Sequence, residues 1–134
     1  MTTLPYQYVV VRAVPRVDRE EFVNVGVVLY CQQASFLRCA WAVDEARLAA
    51  LAPGLPTAEL RGALAVIDDV CAGREGGGRP RLGRDGARFG WLAAPRSTIV
   101  QPGPVHGGVC ADPDAELSRL VDLLVRYRLA RLPP

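Results

Sequence analysis

Residues 22–31 read FVNVGVVLYC, and this stretch decides the architecture. Its β-branched and aromatic side chains suit a pleated, half-buried surface. Strict alternation puts Val23, Val25, Val27, Leu29 and Cys31 on one uniformly apolar face, with Phe22, Asn24, Gly26, Val28 and Tyr30 on the other. Outward from it, Gln32 to Ser35 is a short polar turn and residues 36–43 (FLRCAWAV) return, so 22–43 is expected as an antiparallel hairpin. Upstream, residues 6–14 (YQYVVVRAV) lie between Pro5 and Pro15 and read as another strand. Its alternation sets Tyr6, Tyr8, Val10, Arg12 and Val14 against Gln7, Val9, Val11 and Ala13. The polar connection 15–21 has room for one helical turn starting at Asp18.

Downstream the period changes. Asp44 is placed to cap a helix over 45–52, and Thr57 a second over 58–72 with Leu60, Ala63, Leu64, Ile67 and Cys71 at helical spacing. Residues 73–86 hold six Gly and four Arg and are expected as a flexible exposed loop. Residues 87–93 fit a strand or a turn of helix, Thr98 to Gln101 a short strand, and 102–111 a turn-rich passage. A helix over 113–130 opens on Asp112 as N-cap and Pro113 at the first helical position. Leu117, Leu120, Val121 and Leu124 form its apolar stripe, and Arg126, Arg128 and Arg131 complement the negative end of its dipole. Three consecutive strands followed by helices predict an α+β fold: one domain over 1–134, an antiparallel sheet covered by helices on one face.

Composition narrows the functions. A chain of 134 residues, half of them apolar, supports one core without staples. No charged N-terminal region leads into an apolar run with a cleavage site, and no apolar run has the length to cross a bilayer, so a cytoplasmic protein without membrane attachment is expected. A net charge of +2 gives no electrostatic footprint for nucleic acid. All sixteen basic residues are Arg, in keeping with a GC-rich coding bias, and each is a fork able to hold a carboxylate or phosphate in bidentate fashion. Cys31, Cys39, Cys71 and Cys110 have no CxxC spacing and only His106 to join them, so no metal site and no cofactor is expected. They read as small core hydrophobes in a reducing compartment.

Polar residues in apolar strands mark where a site can be. Asn24 lies in a strongly β sequence beside Gly26, and Glu21 stands at the strand mouth. A buried amide next to a missing side chain either admits a ligand or holds a neighbouring loop while Gly26 makes room for a helix or bulge. Arg12, mid-strand, is either an anion ligand or the partner of Glu20 or Glu21. Arg96, Ser97, Thr98, Gln101 and His106 follow Pro95 and make either a phosphate or carboxylate site or a turn held by side chain to backbone bonds. Asp68 and Asp69 are read as a solvated helix face. No nucleophile elbow surrounds Ser97, no carboxylate near in sequence orients His106, and 73–86 lacks the Gly-Lys-Ser/Thr ending of a phosphate loop. No catalytic residues are therefore named, and an enzyme is not the favoured reading.

The stretch Tyr6 to Cys31 (YQYVVVRAVPRVDREEFVNVGVVLYC) resembles the opening of a bacterial family called domain of unknown function 3037. That family has a Tyr-rich strand, an Arg-x-x-Pro turn and then Glu-Phe-x-Asn-Val-Gly-Val. Arg96 to Gln101 (RSTIVQ), the Pro-rich turn after it and the acidic helix start near Asp112 resemble its C-terminal pattern. The resemblance spans nearly the whole chain, least well at 73–86. It implies the same small α+β fold, supplies no catalytic residues, and points to Arg12, Pro15, Glu21, Asn24, Gly26, Arg96 and Gln101. Many members are encoded beside a HipA-like kinase, which the resemblance thereby implies as a partner. Two functions are expected to compete: an accessory domain that binds a protein, showing an exposed mixed patch, and a binding or enzymatic domain for an anionic ligand such as a nucleotide or phosphate ester, in which Arg12, Glu21, Asn24 and Arg96 converge.

Overall fold

A computed structural model describes residues 3–126. Strand β1 (Leu4–Ala13) is central, β2 (Val23–Cys31) pairs with one of its edges, and β3 (Phe36–Trp41) extends the sheet beyond β2. On the other edge of β1, β4 (Val100–Pro102) and β5 (His106–Cys110) follow one another in tandem. Every pairing is antiparallel. The helices are α1 (Glu45–Leu51), α2 (Thr57–Cys71), α3 (Asp85–Ala93) and α4 (Pro113–Val121), the last running into a wide π-helical turn at Asp122–Arg126. No described helix is long and apolar enough to cross a membrane.

The helices cover both faces of the sheet, not one. Leu48 of α1, Leu60, Leu64, Ile67 and Val70 of α2, and Phe89 and Leu92 of α3 pack on Val9, Val11, Ala13, Val23, Val25 and Val28. On the opposite face Leu117, Leu120 and Val121 of α4 pack on Tyr6, Val27, Leu29 and Cys31. A bulge in β2 switches which of its residues face which layer. Val11 pairs with Gly26 while Arg12 pairs with Asn24, leaving Val25 as the extra residue. The strict alternation expected for β2 therefore breaks there: Val23 and Val25 face α1–α3, whereas Val27, Leu29 and Cys31 face α4.

Local sequence explains the element ends. The Asp44 side chain accepts from the Arg47 amide, as expected of an N-cap, and the Asp112 side chain accepts from the Asp114 amide. Helix α2 begins at Thr57 with Pro56 as its cap, so Thr57 lies inside the helix. The ambiguous 87–93 is helical and starts earlier, at Asp85. The turn-rich passage 102–111 contains β5: His106–Cys110 completes its backbone bonds by pairing with Leu4 to Tyr8, a tertiary contact that local Gly content hides. The long final helix keeps α geometry only to Val121, and its expected end, with Arg128 and Arg131, lies outside the described residues. Within 73–86, Arg74 and Arg79 both ion-pair with Asp69 of α2, at 2.5 and 3.0 Å. Asp68 accepts from Trp41 Nε1 at 2.9 Å. Both carboxylates, read as a solvated face, thus fasten neighbouring segments to the helix.

Candidate functional site

Among the described residues, helix α4 covers β2 and β3 and leaves much of β1 open on its side of the sheet. Even-numbered residues of β1 point to this side, so Tyr8, Val10 and Arg12 lie along the open strip and are only part-buried. Arg12 pairs across the strands with Asn24 on β2 and with Gln101 on β4. Its guanidinium lies over the Phe22 ring, 4.1 Å from the centroid. A methyl group added at Gly103 would sit 3.2 Å from the guanidinium carbon, so the absence of a side chain there is what lets the plane lie flat against the β4–β5 connection. Arg12 Nε is buried and has no hydrogen-bond partner. Neither Glu20 nor Glu21 ion-pairs with it: Glu21 pairs with Arg19, and Glu20 merely lines the same cleft.

That cleft has a volume of about 290 Å³ and is bounded by Arg12, Val14, Val17, Glu20, Phe22 and Gln101. Two of its apolar walls are open to solvent, Val17 at 48 % and Phe22 at 43 % exposure. Glu20 takes a left-handed conformation, φ 54°, where it ends the short 3-10 turn Val17–Arg19 and swings the chain into β2. The arrangement offers a planar cation on an aromatic floor, an amide beside it and a carboxylate at the rim. A cation stacked this way keeps its in-plane N–H groups for a carboxylate or phosphate edge.

The remaining sequence-derived candidates separate. Asn24 shares the face of Arg12, but its amide donates to the Leu124 carbonyl at 3.1 Å, and Arg47 donates to that of Val125 at 2.9 Å, so both side chains fasten the π-helical turn. Gly26 lies beyond the bulge and against Trp41 on the opposite face. A Cβ there would come within 2.9 Å of Trp41 Cβ, so Gly26 admits the neighbouring strand, not a ligand on the Asn24 side. Glu21 lines an adjacent hollow with Pro15, Arg16 and Leu51, its carboxyl held below the usual range by the Arg19 hydrogen bond. Arg96 stacks on Trp91 at 4.4 Å and donates to the carbonyls of Trp91 and Ala94 at the end of α3. Thr98 donates to the Val100 carbonyl and Gln101 to that of Thr98, so the stretch around Pro95 is a bonded turn. His106 is exposed, its ring 5.2 Å from that of Tyr8. The structure therefore joins Arg12 with Gln101 and leaves Glu21, Asn24, Gly26 and Arg96 outside the cleft.

Two features went unread in the sequence. Phe22 was assigned only to a face, yet it is the ring under Arg12; the signal was a large aromatic immediately before a Val run with a polar segment behind it. The other is a side-chain chain under α4. Tyr6 donates to Glu116, which accepts both Arg119 nitrogens at 2.8 Å. Burial, then the Glu116 bond, pushes the Tyr6 hydroxyl up to about 12, and the Arg119 bond holds Glu116 below the usual carboxylate range. Burial likewise pushes the Cys71 thiol up to about 12 and that of the part-buried Cys39 well above its ordinary value. Among the described residues no group of three or more His, Cys, Asp or Glu is placed to hold a metal ion.

No curated protein and no solved structure matches the chain. One family model matches residues 8–125, from the start of the open strip to the π-helical turn, and its description is "Protein of unknown function (DUF3037)". With that match covering most of its length, the chain belongs to the DUF3037 family.

Proposed function

We propose that this domain is a non-enzymatic accessory module that docks a protein partner on the open strip, with the Arg12–Phe22 cleft as the anchor. The carrying observation is an Arg that holds no carboxylate among the described residues, lying on an exposed Phe in a cleft. Arg and aromatic residues dominate binding energy where they become fully enclosed. Val17 beside Phe22 supplies apolar area, and Glu20 and Gln101 supply a polar rim, the mixed character of a non-obligate interface. The partner to test first is the HipA-like kinase that the family resemblance implies.

The test is calorimetry of the purified domain with a HipA-like kinase of the kind encoded beside many members of the family. Wild-type protein binds, and Arg12→Ala or Phe22→Ala weakens binding at least about tenfold, the loss expected of an anchor residue. No association for the wild type, or equal affinity for both variants, overturns the reading. A second reading keeps the same cleft for an anionic small molecule, favoured by the in-plane donors of Arg12 beside Gln101. Thermal shift with a panel of nucleotides and phosphate esters separates the two: stabilisation that Arg12→Ala abolishes supports this reading, and no shift by any of them removes it.

A further inference from the structure

Among the described residues the sheet ends on β5, with no strand paired beyond it. The Gly103 amide donates to the Val10 carbonyl at 2.8 Å, and the Val14 amide donates to the Ile99 carbonyl at 2.7 Å. Even-numbered residues of β1 therefore direct their backbone groups toward β4 and β5. Through the pairs Leu4–Cys110, Tyr6–Gly108 and Tyr8–His106, the backbone groups of His106, Gly108 and Cys110 point inward. Those of Gly107 and Val109 point away from the sheet. Among the described residues no strand pairs with them.

Sheet edges are ordinarily blunted by charge, proline or cover. The β4 part of this edge carries Pro102 with Pro104 just beyond it, and the far edge, β3, carries Arg38 ion-paired with Asp114. His106–Cys110 contains no Asp, Glu, Lys, Arg or Pro. Val109 is 65 % exposed, the most exposed large apolar side chain among the described residues. Two glycines in succession leave room for another backbone.

We propose that β5 pairs antiparallel with β5 of a second copy of this chain, about a two-fold axis at Gly108, making one continuous sheet across the dimer. The choice of occupant rests on self-complementarity. About this axis the outward groups of Gly107 meet those of the partner's Val109, and the reverse, which completes both ladders. Each Val109 side chain then lies across from a glycine, where nothing obstructs it. A strand of five residues forms a small interface, so the dimer is a weak one that assembles with concentration. This surface is independent of the Arg12 cleft.

Sedimentation velocity of the full chain from low to several hundred micromolar tests it. The wild type shifts from monomer to dimer, and the amides of Gly107 and Val109 gain protection from hydrogen exchange with concentration while that of Gly108 does not. Val109→Pro removes only an outward amide, so the β1–β5 bonds stay intact, and the variant remains monomeric throughout. Val109→Arg sets a charge on the same edge and serves if the proline variant fails to fold. A wild type that stays monomeric, a dimer that survives both substitutions, or protection that ignores Gly107 and Val109 overturns the proposal.

Discussion

The two faces of the sheet bury similar side chains by unequal means. Three helices close one face over Val9, Val11, Ala13, Val23 and Val25, while one helix closes half of the other over Val27, Leu29 and Cys31. Where cover is complete, the arginines at its margin hold carboxylates, Arg79 that of Asp69 and Arg88 that of Asp85, although each keeps a buried Nε without a partner. On the half-covered face the Arg12 Nε is likewise buried and unpartnered, but its guanidinium holds no carboxylate among the described residues and lies on the Phe22 ring. On the proposed function, this half-covered face is the one a partner meets.

The sharpest way to break this contrast is to cut into both layers. Leu64→Ala under α2 and Leu117→Ala in α4 should each cost about 2–5 kcal/mol, both sites being fully buried. Both should lower one common urea transition; two separate transitions would mean that the faces are independent units. Gly26→Ala follows, at about 1–3 kcal/mol from crowding against Trp41 Cβ at 2.9 Å. An unchanged denaturation midpoint would show that the bulge can relax. Asn24→Ala should cost about 1 kcal/mol by freeing the Leu124 carbonyl, with faster amide exchange confined to Asp122–Arg126.

A pH titration sharpens the covered half further. Tyr6 has a raised folded-state pKa of about 12 against an ordinary 10.0, so its contribution is complete below pH 10 and fades as pH climbs toward 12. Glu116, held low, contributes above the ordinary carboxylate range and loses its effect as pH falls through its depressed value. Tyr6→Phe should flatten the alkaline arm of the stability profile and leave most of the acid arm, a pattern read from denaturation midpoints across pH. The smallest change should come on the open half. Arg12→Ala, which removes the stack on Phe22 but no ion pair, should cost about 0.5–1 kcal/mol while weakening partner binding. A large loss of stability would make Arg12 a structural residue.

Much of the fold was legible because period and capping are local. The hairpin, the Asp44 and Asp112 caps and the apolar stripe of α2 all follow from residues a few positions apart. What escaped depends on distant partners. β5 is a strand only because β1 lies beside it, the bulge at Val25 sets Val23 and Val25 on the layer opposite Val27, Leu29 and Cys31, and Asn24 is committed only once Leu124 is in place. At the site, the pattern singled out Arg12 and Gln101, which do meet. It also singled out Arg96 and Glu21, which do not, because a polar residue in an apolar context looks alike whether it awaits a ligand or holds a turn.

The Val25 bulge works as a change of reading frame. Downstream of it, odd-numbered residues of β2 are spelled for the α4 layer; upstream, odd-numbered residues are spelled for the opposite one. Deleting Val25 would forfeit one buried side chain yet leave each half in its own frame, with Asn24 still across from Arg12. Inserting a residue elsewhere in β2 would translate one half into the wrong layer. Length variation in this strand should therefore be tolerated, if anywhere, at this one position.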